Sequence, residues 1–138
     1  MAASYAIYHG PQGLQAISGR IHALAATARA KLAASGVAVS GSSPHGGGVF
    51  FDTFTVHGVD ALAVQARAAT LGCNVRVVSP DAVGVACGEA HTTEDLVALL
   101  AAFGVEATKA ELEALAETVK PAPTPPHKGE ETRAPRSP

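Results

Sequence analysis

The amino-acid sequence predicts an α+β fold in which helices pack on one face of a small, mostly antiparallel sheet. Two observations carry this prediction. Apolar residues recur at steps of three and four in several stretches, as in amphipathic helices. Short runs rich in aromatic and β-branched residues lie between these stretches and are bounded by Gly, Pro and Asp, as strands are. The predicted order is helix, strand, strand, helix, strand, strand, helix, followed by a shorter helix.

The first predicted element is a long amphipathic helix over residues 11–35. Pro11 suits its first turn and Gly36 suits a left-handed C-terminal cap. Residues 2–8 also have a helical pattern, so a kink at 9–11 is predicted to join two helices. The apolar positions of the longer helix are Leu14, Ile17, Ile21, Leu24, Ala28 and Leu32.

Four short strands are predicted around a second helix. The first two, at 37–40 and 49–56, are candidates for a hairpin. An Ala-rich helix over 61–71 follows, and Gly72 closes it. The remaining two strands, predicted at 74–78 and 82–87, are separated by a Ser-Pro-Asp turn.

Two capping boxes predict the last helices. Thr92 with Asp95 precedes an apolar face at helical spacing, and Thr108 with Glu111 starts a shorter helix. From Lys120 onward the sequence is Pro-rich and polar without apolar periodicity, which predicts a disordered or extended linker.

Composition excludes several classes of function. Lys and Arg number 10 against 12 Asp and Glu, so the net charge of −2 argues against nucleic-acid binding. The apolar runs are too short to cross a membrane, and the first residues have no pattern typical of a targeting signal. Cys73 and Cys87 are interpreted as small buried hydrophobic residues in a reducing compartment.

The polar residues alone do not define a catalytic site. The six histidines lack the spacing of metal ligands, and no nucleophile–base pair can be assembled. Asp52 lies in a predicted strand among Phe and Val, where it is either a structural carboxylate bonded to backbone donors or an arginine, or a catalytic acid. Arg76 could hold a substrate carboxylate, form an inter-domain salt bridge or face solvent.

Particular strings nevertheless resemble a known family. They are MAASYAIYHGPQGL at 1–14, FFDTFTV at 50–56 and TTEDL at 92–96, in collinear order over about three quarters of the chain. They are similar to the glycine cleavage system P-protein, the pyridoxal-phosphate-dependent glycine dehydrogenase (decarboxylating), an oxidoreductase of glycine catabolism.

The resemblance implies a place within a larger enzyme. That enzyme is built from two homologous halves with the aspartate-aminotransferase-like fold (fold type I), and the chain resembles the end of the N-terminal half. Residues 1–10 would end a large-domain helix, 11–118 would form the small C-terminal α+β subdomain, and 119–138 would be a Pro-rich linker. The implied location is mitochondrial in a eukaryote and cytoplasmic in a bacterium.

The implied reaction is decarboxylation of glycine on pyridoxal phosphate, with transfer of the aminomethyl group to the lipoylated H-protein. No segment of this chain matches the family's Schiff-base lysine, so the isolated chain is expected to bind no pyridoxal phosphate and to be inactive. The resemblance therefore assigns no catalytic, cofactor-binding or metal-binding residue. Candidates for structural or interface support are Tyr8, His9, Arg20, Asp52 and Arg76.

The expected partners are the remaining P-protein segments or subunits. The resemblance adds glycine and the lipoylated H-protein for the whole enzyme, and no nucleic acid or membrane is expected. The alternative is a stand-alone, non-catalytic α+β module that binds a P-protein half or another protein.

Overall fold

The computed structural model describes residues 2–41 and 50–119. Over these residues the chain forms four helices and four strands. Their bounds, in chain order, are α1 Ala2–Ala34, β1 Ala38–Gly41, β2 Thr53–His57, α2 Ala61–Thr70, β3 Arg76–Ser79, β4 Ala82–Ala86, α3 Thr93–Ala102 and α4 Lys109–Val119.

The four strands form one antiparallel sheet in the order β1-β2-β4-β3. The predicted hairpin of β1 and β2 is confirmed, with Val39 opposite Val56. Because side chains alternate between the two faces of a strand, the partners Val56 and Val83 point to the same side. That side is buried under the helices, which confirms the predicted α+β fold with helices on one face.

The core lies between this sheet face and the helices. α1 contributes Ala25, Ala28 and Leu32, whose small or aliphatic side chains let the helix approach the sheet closely. The largest fully buried side chains are Phe54, Leu32, Leu100, Leu112, Val56, Val64 and Val83.

α1 is kinked at Gly10, as the sequence predicts. Gly10 has φ 64° and ψ 177°, a backbone conformation that essentially only glycine adopts without strain. Pro11 follows directly, in the first turn of the second segment, where a backbone N–H would have no helical acceptor. The two segments are therefore residues 2–9 and 11–34.

Two predicted strands begin two or more residues later than expected. β2 begins at Thr53 rather than Val49, and the carbonyl of Phe51 accepts a hydrogen bond from the His22 ring at 2.7 Å instead of extending the strand. β3 begins at Arg76 rather than Asn74, because the N–H of Cys73 still bonds to the carbonyl of Ala68 at the end of α2, at 2.8 Å.

Both predicted capping boxes are present. Thr92 and Asp95 bond reciprocally at the start of α3, and Thr108 and Glu111 do the same before α4. The predicted linker from Lys120 onward and the loop at 42–49 lie outside the described residues. Within the described ranges, no helix is long and apolar enough to span a membrane.

Candidate functional site

The N-terminal segment of α1, residues 2–9, contacts the loop that follows β4. The hydroxyl of Tyr5 donates a hydrogen bond to a carboxylate oxygen of Glu89 at 2.7 Å. The His9 ring lies against Tyr5, with ring centroids 4.3 Å apart, and presents an edge-on contact to Tyr8 at 5.0 Å. His9, one of the five residues predicted to give structural or interface support, thus contacts both tyrosines of the segment.

Arg20, further along α1, binds the same loop. Its guanidinium donates to the backbone carbonyls of Glu89 and His91, the latter at 3.1 Å. The N–H of Gly88 donates to Nδ1 of His91 at 2.7 Å. The loop at 88–91 is therefore held from both sides of the kink, by Tyr5 before it and Arg20 after it.

The contact with Glu89 favours the protonated form of the Tyr5 phenol. The hydrogen bond to Glu89 raises the pKa of the Tyr5 phenol above its ordinary value of 10.0, and partial desolvation and the negative charge of Glu89 act in the same direction. A phenol is protonated at neutral pH even at its ordinary pKa, so Tyr5 donates and the Glu89 carboxylate accepts.

The structure places Asp52 and Arg76 apart from this cluster. Asp52 is half-buried just before β2 and accepts a hydrogen bond from the Thr53 hydroxyl at 3.0 Å. Its carbonyl accepts from the N–H of Cys87 at 2.9 Å, which extends the pairing of β2 with β4 by one bond. The Asp52 carboxylate thus has the neighbouring Thr53 hydroxyl as a hydrogen-bond donor.

Arg76 lies on β3 at the edge of the sheet, on the face that the helices leave open. Its register partner is Gly84, and a Cβ at that glycine would lie 3.7 Å from the Cβ of Arg76. Thr55 is the next residue across the sheet in the same row. Among the described residues the Arg76 guanidinium has no hydrogen-bond or ion-pair partner.

A cleft of about 330 Å³ adjoins the loop after β4. Cys73 and Cys87 both line it, together with His91 and Asp95 at the start of α3. Burial raises the pKa of Cys73 and raises that of Cys87 to about 11, so both thiols are neutral at physiological pH. The Asp95 carboxylate is occupied by the cap of α3. This chemistry suits packing rather than nucleophilic attack.

Pyridoxal phosphate requires a lysine amine directed into its pocket, and the described ranges contain two lysines, Lys31 and Lys109. Lys31 lies 3.8 Å from Glu111 at the surface, and Lys109 pairs with glutamates of α3 and α4. Neither of these two lysines lines the cleft. The described ranges also contain no group of three His, Cys, Asp or Glu side chains that could hold a metal ion. No catalytic step is derived from these residues.

Sequence reasoning missed three residues of the cluster, Tyr5, Glu89 and His91. Tyr5 stands four residues before His9, a spacing that places two side chains on one helix face, so this contact could have been predicted. The bond from Tyr5 to Glu89 joins residues 84 apart in the chain, and no local pattern indicates it.

The geometry defines a class of protein unit, an α+β subdomain with a kinked first helix that hydrogen bonds fix to the loop after β4. Comparison with known proteins identifies its family. The family model of the glycine cleavage system P-protein matches residues 1–103. The chain therefore belongs to the glycine cleavage system P-protein family, as the sequence strings predict.

Several bacterial proteins named glycine dehydrogenase (decarboxylating) are similar to this chain. That of Xanthomonas euvesicatoria is 46% identical over 107 residues, which cover 78% of this chain and 10% of that protein. That of Xylella fastidiosa is 40% identical over 122 residues, which cover 88% of this chain and 12% of that protein. That of Mesorhizobium japonicum is 47% identical over 108 residues, which cover 78% of this chain and 11% of that protein. The chain thus spans about a tenth of the length of the curated relatives it matches.

Proposed function

We propose that this chain acts as a supporting subdomain of a glycine dehydrogenase (decarboxylating). The larger polypeptide would decarboxylate glycine with pyridoxal phosphate and transfer the aminomethyl group to the lipoylated H-protein. The observation that carries this proposal is the family match over residues 1–103 in a chain that spans about a tenth of its relatives. The bacterial relatives support a cytoplasmic location.

The subdomain's contribution is to hold a fixed angle between the N-terminal segment and the rest of the fold. Tyr5 and Arg20 bind the same loop from opposite sides of the kink, and His9 packs between the tyrosines. Such an arrangement resists hinge motion, because Arg20 holds the loop in place and bending at Gly10 would then break the bond from Tyr5 to Glu89. In this role Tyr8, His9 and Arg20 support an interface without contacting substrate.

Asp52 and Arg76 would support the other side of the subdomain. Asp52 fixes the entry to β2 through its own carbonyl and the Thr53 hydroxyl. The guanidinium of Arg76 projects from the open sheet face, where it can pair with a carboxylate of a neighbouring segment. The same proposal includes the fold-type-I half. In that half, residues 1–10 would end a large-domain helix, 11–118 would form the small subdomain and 119–138 would be a linker.

The experiment that tests this proposal is intact-mass measurement and peptide mapping of the native product, captured with an antibody to residues 11–34. We expect P-protein sequence in the same polypeptide or in a stoichiometric subunit. A native product of 13.8 kDa without such a subunit would contradict the proposal and support the stand-alone module.

A second readout uses the isolated 138-residue chain and added pyridoxal phosphate. We expect no absorbance band from lysine-bound cofactor and no response to glycine. The whole enzyme of Xanthomonas euvesicatoria serves as the positive control. Stoichiometric, glycine-responsive uptake by the chain alone would show that it carries the cofactor site.

A further inference from the structure

The two cysteines lie on the same side of the sheet. On β4 and just after it, Val85 and Cys87 are buried and Ala86 between them is exposed. The segment that leads into β3 shows the same alternation, with Cys73 half-buried and Val75 buried. Because side chains two residues apart share one face of a strand, both thiols point to the side that the helices cover.

The register of the sheet places the two cysteines opposite each other. β3 and β4 pair antiparallel with Val77 opposite Val83, and the same register, continued toward the N-terminal side of β3, puts Cys73 opposite Cys87. The N–H of Cys87 donates to the carbonyl of Asp52 on the β2 side, so this position is of the type that makes no hydrogen bond toward β3. The Cα atoms of such a facing pair lie about 4.5 Å apart, within the range of about 4.4–6.8 Å that a disulfide spans.

The two cysteines also share a cleft. Both line the cavity of about 330 Å³ beside the loop after β4, and both are free thiols in this structure. The pairing of β3 with β4 ends at Arg76, and among the described residues the segment 73–75 makes no backbone hydrogen bond to β4. This segment can therefore close toward β4 without breaking a bond between the strands.

We propose that Cys73 and Cys87 form a reversible disulfide when a low-molecular-weight disulfide of the glutathione type oxidises them. The proposal goes beyond the proposed function and does not depend on it, because both thiols belong to this chain. Cys87 immediately precedes the loop at 88–91, to which Tyr5 and Arg20 bind. The cross-link would therefore tie the start of that loop to the end of α2.

The oxidation proceeds by two thiol–disulfide exchanges. Cys73 is the more exposed thiol, so its thiolate attacks a sulfur of oxidised glutathione, forms a mixed disulfide and releases one glutathione thiolate. The Cys87 thiolate then attacks the Cys73 sulfur, and the second glutathione leaves as a thiolate. The protons of the two cysteines pass through solvent to the released thiolates. The protein pair is thus oxidised to a disulfide, and the oxidant is reduced to two thiols.

The test uses the native product of the source organism, at whatever length it occurs. It is equilibrated with mixtures of reduced and oxidised glutathione, in native buffer and in urea, and free thiols are then alkylated in acid-quenched samples. Arg76 lies between the two cysteines, so trypsin leaves them on separate peptides, 68–76 and 77–109. These peptides stay joined only through a disulfide, and mass spectrometry measures the joined fraction.

The matched control exchanges two neighbouring residues by the double change Ala86→Cys and Cys87→Ala. Composition is unchanged, but the thiol moves to the exposed position 86 on the open face of the sheet, away from Cys73. Circular dichroism of the variant checks that its fold is retained. A second variant, Cys87→Ala alone, shows how much mixed disulfide with glutathione forms at Cys73 when no second thiol is present.

We expect joined peptides from the native product, with an equilibrium constant for oxidation by glutathione at least about tenfold higher in native buffer than in urea, because folding holds the thiols together. The exchanged variant should show no such gain on folding. Equal constants in the two conditions, an equal gain in the exchanged variant, or glutathione bound to Cys73 without joined peptides would each overturn the proposal. None of these results depends on whether the product carries further P-protein sequence, so the two proposals can fail separately.

Discussion

Tyr5 and Tyr8 show how one residue type takes different roles on a single helix. Although they lie only three positions apart, Tyr5 reaches the Glu89 carboxylate whereas Tyr8 is 85% exposed. The two hydroxyls can therefore be compared within the same chain, and only the first is expected to stabilise it.

Replacing Tyr5 by Phe should lower the urea midpoint of the 138-residue chain, because the Glu89 carboxylate loses its donor. The matched change Tyr8→Phe should leave the midpoint unchanged. Equal shifts for the two variants would show that the Tyr5–Glu89 bond does not stabilise the fold.

Cys87 should be nearly unreactive in the native chain. With its pKa near 11, only about one thiol in a thousand is ionised at pH 8, against about one in ten at the ordinary value of 9.0. In a Cys73→Ser background, iodoacetamide should label Cys87 about a hundredfold more slowly than in urea. Equal labelling rates in the two conditions would contradict the burial of this thiol.

At the scale of elements, the kink of α1 and the caps of α3 and α4 decide where the helices begin and how they are directed. The kink depends on one glycine with positive φ, whereas the caps depend on reciprocal bonds between side chains and backbone. Changing the kink glycine or a capping residue should therefore change the stability of the fold.

The change Gly10→Ala should destabilise the chain by about 1–3 kcal/mol, because alanine is strained at φ 64° and ψ 177°. Gly19 lies in the same helix, and a Cβ added there would meet no atom within 4 Å. Gly19→Ala should therefore stabilise the helix by about 0.5–1 kcal/mol. Thermal unfolding of both variants measures the two effects, and a stabilising Gly10→Ala would refute a required kink.

Acid should destabilise α3 through its cap. Backbone and hydroxyl bonds from Thr92 hold the pKa of Asp95 below its ordinary 3.8. A depressed pKa contributes stability above the unfolded value, and this stability is lost as the pH falls through the folded value. Unfolding measured from pH 6 to pH 2 should therefore show a steeper acid decline in the wild type than in Asp95→Asn. Parallel declines would argue against the cap as the cause.

At the scale of the whole molecule, stability depends on a few large side chains. Many buried positions are alanine or valine, and Phe54 is the largest fully buried residue. It lies on the central strand β2, opposite Val85, between the sheet and the helices. A small domain with so few large core residues has little reserve against losing one.

Phe54→Ala should cost about 3–5 kcal/mol, because the truncated ring leaves a cavity that the neighbouring strands cannot fill. That is a large part of a typical domain's stability. Leu62→Ala, at an exposed position of α2, should change stability by less than about 0.5 kcal/mol. Denaturant unfolding followed by circular dichroism distinguishes the two, and a small loss at Phe54 would disprove its central role.

Local signals in the sequence were enough to predict the elements and the family. The kink at 9–11, the capping boxes and the four strands follow from patterns within a few residues, because turns, caps and periodicity are local. The strand starts at β2 and β3 were wrong by two to four residues, since His22 and the end of α2 bind the backbone there.

Which distant residues meet became known only from the folded chain. β4 lies between β2 and β3, Tyr5 reaches Glu89, and Ile7 and Tyr8 are left exposed. These relations depend on how the chain returns on itself to bury Phe54 and the valines of the sheet. Contacts between residues far apart in sequence leave no periodic or local pattern, so the sequence predicted the parts while packing determined their arrangement.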